Sequence, residues 1–247
     1  MSKRIFLAGA SGVVGQRLIP QLVQAGHLVV GMTRSAANAD KVVALGATAV
    51  VADVFERAAL TTAVAGARPD LVVHQLTDLS LLADPDQAAI AIARNARIRT
   101  EGTRNLVDAC RAAGVHWIIA QSVAWAYAEG PTPHGEEDPL DRDARAPRAT
   151  TVSGVIALED AVLRTPGLKG TVLRYGQLYG PGTASAAPAG ASPVHVDAAA
   201  HAALLAVERG VSGVFNIAER NSAVATHKAE AELGWSPAFR LSQLAHA

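Results

Sequence analysis

The stretch Ile5-Phe6-Leu7-Ala8-Gly9-Ala10-Ser11-Gly12-Val13-Val14-Gly15 constrains this chain more than any other, because an apolar run stops at a glycine turn and restarts with helical spacing. Glycines at every third position suit three separate demands: a tight turn, close approach of backbone to a pyrophosphate, and close packing of helix on strand. A helix starting there presents unpaired N–H groups to an anion. Alone, such a triplet also fits a plain strand-to-helix turn, so its meaning depends on the strands and strand ends downstream of it.

Val14, Leu18 and Leu22 continue at helical spacing to Gly26, with Pro20 inside the helix, where it removes a backbone hydrogen bond and predicts a kink. Residues 28–33 read as a buried strand that ends at Arg34-Ser35. An acidic residue at that strand end accepts hydrogen bonds from an adenosine ribose, whereas an arginine offers a fork to a 2′-phosphate. Arg34 therefore points to NADP rather than NAD, set against the plainer reading of a solvated loop arginine. A third strand over 47–52 ends at Asp53-Val54. The carboxyl ends of successive strands converge on a ligand crevice, so Asp53 suits an adenine contact and Val54 its ring, although Asp53 suits equally well a cap for a helix from Phe55. A fourth strand over 71–76 carries His74, read as a satisfied histidine because no second ligand stands at metal spacing.

Residues 84–113 predict the longest helical region, with a break or bend at no determined point; Arg97, Arg104 and Arg111 recur on one face, read as solvated in preference to a dock for an anionic partner. A fifth strand over 115–120 runs into Gln121-Ser122-Val123-Ala124-Trp125-Ala126-Tyr127, the segment expected to overhang the nicotinamide end of the crevice and carry the chemistry. Next come a proline- and charge-rich loop over 130–147, a helix over 151–164 and a strand over 170–175. Beyond the glycine-rich turn 176–182, residues 183–193 are almost wholly Ala, Ser, Pro and Gly and predict a mobile connector; a helix to Arg209, a strand over 213–217 and a short helix over 228–233 close the chain.

Composition narrows the partners. Lys plus Arg and Asp plus Glu number 22 each, which removes the electrostatic footprint of a nucleic-acid binder. Half the residues are apolar but only 4% aromatic, so the core must be built from small aliphatic side chains, and 247 residues suffice for one large α/β domain. The single Cys110 excludes an intrachain disulfide, and with neither a secretory signal nor a bilayer-length apolar run a cytoplasmic location is expected.

Six stretches in order, GASGVVG, Thr33-Arg34-Ser35, Asp53-Val54, LRYGQLYGPG, His195-Val196-Asp197 and ELGWSP, resemble an extended short-chain dehydrogenase/reductase of the NAD-dependent epimerase/dehydratase kind. The resemblance implies a doubly wound Rossmann sheet in the order 3-2-1-4-5-6-7, with a nucleotide over its C-terminal edge and a small substrate cap. It implies Gly9, Ser11, Gly12 and Val13 on the pyrophosphate, Arg34 and Ser35 on the 2′-phosphate, Asp53 and Val54 at the adenine, Leu76 and Thr77 along the ribose, and Tyr175 near the nicotinamide amide. It also implies a homodimer through the helices over 87–113 and 151–164.

The departures from that pattern bear most on function. The family's redox chemistry uses a tyrosine four residues before a lysine, the lysine lowering the phenol's pKa. No such pair exists here: the helix through Glu159 puts Thr151 and Val155 at those positions, and Val123 stands four residues before Tyr127, one residue from Ser122. The cap is reduced as well, to remnants within residues 176–247 of a single domain. The sequence therefore leads to an NADP-binding enzyme acting on a small or polycyclic organic substrate through a non-standard site, as reductase or redox-neutral isomerase, cyclase or dehydratase. Ser122 and Tyr127 are its candidate catalytic groups, the tyrosine as acid or anchor, with Gln177 and Tyr179 on the substrate. The alternative is a non-catalytic NADP-binding sensor or regulator.

Overall fold

A computed structural model describes residues 1–79, 81 and 84–241. A seven-stranded parallel sheet forms its centre, built from β1 (Arg4–Ala8), β2 (Leu28–Thr33), β3 (Thr48–Val51), β4 (Leu71–His74), β5 (Trp117–Val123), β6 (Lys169–Tyr175) and β9 (Gly213–Ile217) in the order β3-β2-β1-β4-β5-β6-β9. Because helices cover both faces, the central strands are apolar on both sides rather than alternating with polar residues. β1 shows this directly: Ile5 and Leu7 enter one core layer, Phe6 and Ala8 the other. The first layer lies under α1 (Val13–Gln24), α2 (Ala36–Ala44) and α7 (Val196–Arg209); the second lies under α3 (Arg57–Ala67), α5 (Thr103–Ala112) and α6 (Arg148–Leu163). Alanines such as Ala199, Ala202, Ala203 and Ala206 line the buried side of α7, which lets that helix approach α1 and the sheet closely despite the shortage of aromatic residues.

The doubly wound parallel sheet is the architecture the sequence leads to, and its seventh position is filled by the ninth strand. The difference comes from residues 176–195, expected as turn and connector: Gln177–Tyr179 (β7) and Pro193–His195 (β8) pair in parallel as a separate two-stranded sheet, so the small-residue stretch is a loop tied at both ends. Gly176 permits this junction, since its amide donates to the Ile217 carbonyl while the Ser192 carbonyl lies against its Cα.

The region over 84–113 divides into α4 (Ala88–Arg97), a π-turn over Ile98–Gly102, and α5, so the bend is a one-residue widening of the helix. α3 starts at Arg57, so Asp53 does not cap it; its Oδ1 instead accepts from the Phe55 amide at 2.9 Å, closing a local turn. α1 runs through Pro20, and the short final helix is a π-turn over Ala229–Leu233. The end of the 176–247 stretch, from residue 242, lies outside the described residues. No helix among the described residues is long and apolar enough to cross a membrane.

Candidate functional site

The turn between β1 and α1 is shaped by backbone contact. Gly9 has φ +91°, and a Cβ there would stand 2.6 Å from the carbonyl carbon and oxygen of Gln75, just beyond the end of β4. No side chain caps α1, so its first-turn amides remain open to an anion, while the Gly12 amide tightens the turn by donating to the Gly9 carbonyl at 3.0 Å. A cleft of about 250 Å³ opens beside this turn, lined by Gly9, Ser11, Gly12, Thr33, Arg34, Gln75, Leu76, Thr77 and Asp78 among others. Inside it Gln75 is 4% exposed; its Nε2 donates to the Tyr175 hydroxyl at 3.2 Å, and its Oε1 is buried without a hydrogen-bond partner. An orphaned amide oxygen, open helix amides and a cradle that a Cβ would fill are what a dinucleotide needs.

Six of the residues expected on the cofactor line this cleft: Gly9, Ser11, Gly12, Arg34, Leu76 and Thr77. The other five sit around it. Val13 is partly buried against the core and lies under Gly182. Ser35 caps α2, its Oγ accepting from the Asn38 amide. Asp53 closes its own turn, and Val54 is a core residue whose carbonyl accepts from Asn105 Nδ2 at 3.0 Å. Tyr175 is 3% exposed, and burial pushes its phenol well above the ordinary range against a smaller opposing effect of the Gln75 hydrogen bond. Arg34 extends from the cleft mouth half exposed, with Nη1 3.9 Å from Asp78 Oδ2. Sequence reasoning did not single out Gln75 or Asp78; the only signal for Gln75 is a polar amide closing an otherwise apolar strand.

At the C-terminal ends of β5 and β6 the polar side chains form a closed, buried network. Ser122, 4% exposed, donates to Glu159 Oε1 at 2.7 Å. Glu159 is gripped by both sides of the Arg174 fork, Nε to Oε1 at 2.9 Å and Nη2 to Oε2 at 2.7 Å. Arg174 Nη1 donates to the Tyr127 hydroxyl at 2.8 Å and to the Glu136 carbonyl at 3.1 Å, and the Tyr127 hydroxyl donates to Asn216 Oδ1 at 2.6 Å. The Tyr127 ring stacks on His134 at 5.0 Å, leaving the residue 6% exposed. Burial raises the Tyr127 pKa, partly offset by Arg174, so its phenol is protonated near neutrality. For Arg174, burial works against the charge but the hydrogen bonds and charge of Glu159 outweigh it and raise its pKa.

The segment above β5 is held from α6. Arg148 donates to the carbonyls of Trp125 and Tyr127, both at 2.9 Å, and to Asp141 Oδ2 at 3.0 Å. Val155 is fully buried in a small apolar cluster with Val123, Ala126 and Leu140. No acid or base stands at Val123, Thr151 or Val155, and the nearby Ser122 and Tyr127 hydroxyls are each already engaged within the protein.

On the opposite side, β7 carries Gln177 and Tyr179. Gln177 Oε1 accepts from the Ser192 amide and hydroxyl, both at 3.0 Å, which fastens the loop below β8. The Tyr179 hydroxyl donates to Glu219 Oε1 at 2.5 Å and accepts from Arg240 at 3.2 Å. Burial and then Glu219 raise its pKa.

The sequence profile of the NAD dependent epimerase/dehydratase family matches residues 5–210. A Streptomyces protein named 3-diazoavenalumate denitrifying reductase is 42% identical over 243 residues, covering 90% of this chain and 78% of that protein. Two solved structures share the fold. A UDP-glucose 4-epimerase of Thermotoga maritima, crystallised with UDP-glucose, superposes with a TM-score of 0.76 at 21% identity, over 98% of this chain and 96% of that one. A Bordetella bronchiseptica enzyme in complex with NAD and UDP superposes at 0.73 with 19% identity, over 99% and 94%.

Proposed function

This chain belongs to the NAD-dependent epimerase/dehydratase family, and from that premise we propose that it is an NADP(H)-dependent reductase of a small organic substrate whose hydride acceptor requires no proton from the protein. One observation carries the reading: the positions for a phenol and an ammonium are Thr151 and Val155, and the Ser122 and Tyr127 hydroxyls are locked in the Ser122–Glu159–Arg174–Tyr127–Asn216 network.

Reduction of a carbonyl, or epimerisation through one, needs an acid or base at the substrate oxygen. When bound, a reduced dinucleotide supplies a hydride, and at a carbon bearing a diazonium group that alone completes the conversion: a C–H bond forms with the hydride's electron pair while the C–N pair leaves with dinitrogen. The Streptomyces relative's name, a denitrifying reductase of a diazo carboxylate, supports this substrate class. The residues here then bind, orient and exclude water. The open amides of α1 and the turn at Gly9, Ser11 and Gly12 hold the pyrophosphate, Arg34 takes the 2′-phosphate, and Leu76, Thr77 and the orphaned Gln75 Oε1 meet the sugars. Ser122 and Tyr127 act through the buried network as positioning residues that fix the ends of β5 and β6, while Gln177 and Tyr179 border the substrate side.

The test is reaction of the purified protein with NADPH and 3-diazoavenalumate. Loss of reduced nicotinamide should match release of dinitrogen, and NADPH deuterated at the transferring position should place deuterium on the denitrified carbon. Inertness toward the diazo compound alongside turnover of ordinary ketones would refute the reading.

We further propose a cytoplasmic homodimer through α4 and α6. Ile90 on α4 is 48% exposed, and α6 borders a surface groove of about 520 Å³ lined by Ala149, Ser153, Ile156 and Ala157. Light scattering at tens of micromolar should give twice the chain mass; a monomer overturns the assembly and leaves the chemistry standing.

A further inference from the structure

Arg99 is the one arginine of the π-turn, and it is 7% exposed. Its guanidinium makes no hydrogen bond, ion pair or ring contact with any described residue. The contrast with its surroundings is sharp: Arg174, equally buried, is paired with both oxygens of Glu159, while Arg97, two residues earlier, turns outward to Glu101 at 2.7 Å. Burial pulls the Arg99 pKa down to about 10, so the guanidinium is still charged near neutrality. A charge this buried without a counter-charge is destabilising, and pairing with an anion would relieve that cost.

The π-turn also lies in the right place. His74, the last residue of β4, bonds Thr103 Oγ1 through Nε2 at 3.0 Å, at the exit of the turn, and accepts from the Leu76 amide at Nδ1. The residue between, Gln75, lines the dinucleotide cleft. His74 does not compete for an anion: burial, and then the Arg99 charge, hold its pKa at about 4, so the ring is neutral. On its other side the turn packs on α6. Ala96, the α4 residue two before the turn, lies against Gly154, where a Cβ would come 3.2 Å from the Ala96 Cα, within the α6 stretch Thr151–Val155 that carries no charge of its own.

We propose that Arg99 receives the carboxylate of an anionic substrate at the C-terminal end of β4, orienting it for reduction. The proposal rests on the reductase function proposed for this chain. The cofactor's own anions have other receivers, the amides of α1 for the pyrophosphate and Arg34 for a 2′-phosphate, both at the cleft, whereas Arg99 does not line that cleft and lies by His74 at the end of β4. A planar guanidinium matches a carboxylate with two parallel hydrogen bonds.

Calorimetry on the NADP⁺ complex with avenalumate, cinnamate and benzoate, each beside its methyl ester, tests this. At least one acid should bind about tenfold or more tightly than its ester. Arg99→Gln should abolish that advantage while leaving NADP⁺ affinity within about twofold, and Arg99→Lys should restore part of it. Equal or absent binding of acids and esters overturns the proposal. So does an Arg99→Gln variant that loses NADP⁺ affinity but keeps the acid advantage, because the anion would then be the cofactor's. Failure of the reductase reading is distinguishable, since it appears in a separate assay as no NADPH-dependent release of dinitrogen, whereas the acid advantage is read by binding alone. As a check independent of ligand, Arg99→Met should melt higher than the unmodified protein when nothing is bound, and a lower melting temperature would mean that the charge is compensated within the fold.

Discussion

Replacing Tyr127 by phenylalanine separates a positioning role from a chemical one. The substitution deletes a single hydroxyl that accepts from Arg174 Nη1 at 2.8 Å and donates to Asn216 Oδ1 at 2.6 Å. Arg174 keeps the Glu136 carbonyl at 3.1 Å and both oxygens of Glu159, so its charge stays compensated. Asn216 Oδ1 loses its donor, and no water reaches a residue that is 0% exposed. Leaving a buried acceptor unsatisfied and removing one charge-assisted hydrogen bond together cost about 2–3 kcal/mol. In a chain of this size each 1 kcal/mol moves the melting temperature by about 2–4 °C, so thermal unfolding should shift down by about 4–12 °C. Turnover of the reductase well below that transition should stay within about threefold, because a hydroxyl pointing into the protein gives nothing to the reacting atoms. Loss of an acid that touches substrate would instead cost about 10- to 100-fold with melting unchanged. That second pattern, a normal melting curve with a dead enzyme, would refute the positioning role and return Tyr127 to the chemistry.

Arg34→Ala should weaken NADP(H) binding by about 10- to 100-fold, as expected for a charge-assisted contact to a 2′-phosphate, and leave NAD(H) unchanged or slightly favoured because Asp78 remains to repel the phosphate; calorimetry with both cofactors decides it. Gly9→Ala should abolish dinucleotide binding and lower stability, since its Cβ meets the Gln75 backbone at 2.6 Å and φ is +91°; unchanged affinity would contradict the cradle. Glu159→Gln should destabilise by about 3–5 kcal/mol by leaving Arg174 without a counter-charge, read by urea unfolding. His74 is held at about 4 against an ordinary 6.5, so the unfolded chain binds the extra proton and stability, full above pH 6.5, declines by about 1.4 kcal/mol per pH unit toward pH 4. His74→Asn should flatten that limb of the pH–stability curve.

The sheet was legible because each of its strands is an apolar run closed by a polar or glycine residue, and the order of the seven strands is implied by one glycine turn with its family pattern. Arg34 was legible as the residue just beyond a strand end, and Ser11, Leu76 and Thr77 only through the family resemblance; all four line the cleft. The β7–β8 pair was not, because three-residue strands such as Gln177–Tyr179 and Pro193–His195 carry no periodicity and their pairing spans a loop of small residues. The Ser122–Glu159–Arg174–Tyr127–Asn216 network was equally invisible: its members come from β5, α6, β6, a loop and β9, and nothing local marks Glu159 as buried rather than solvated. The bend expected within residues 84–113 could not be placed, because nothing in the apolar spacing marks Ile98–Gly102 as a π-turn, and nothing local marks Arg99 as buried.

The π-turn has a consequence for mutational history. A helix advances about 100° per residue, so the one extra residue within Ile98–Gly102 rotates everything after it by that angle relative to a regular helix. Excision of a single codon in this stretch would therefore straighten the helix, swing Arg99 or its replacement toward solvent, and carry Thr103 away from His74. A library of single-codon deletions across residues 97–104 would show whether the fold tolerates the straight helix.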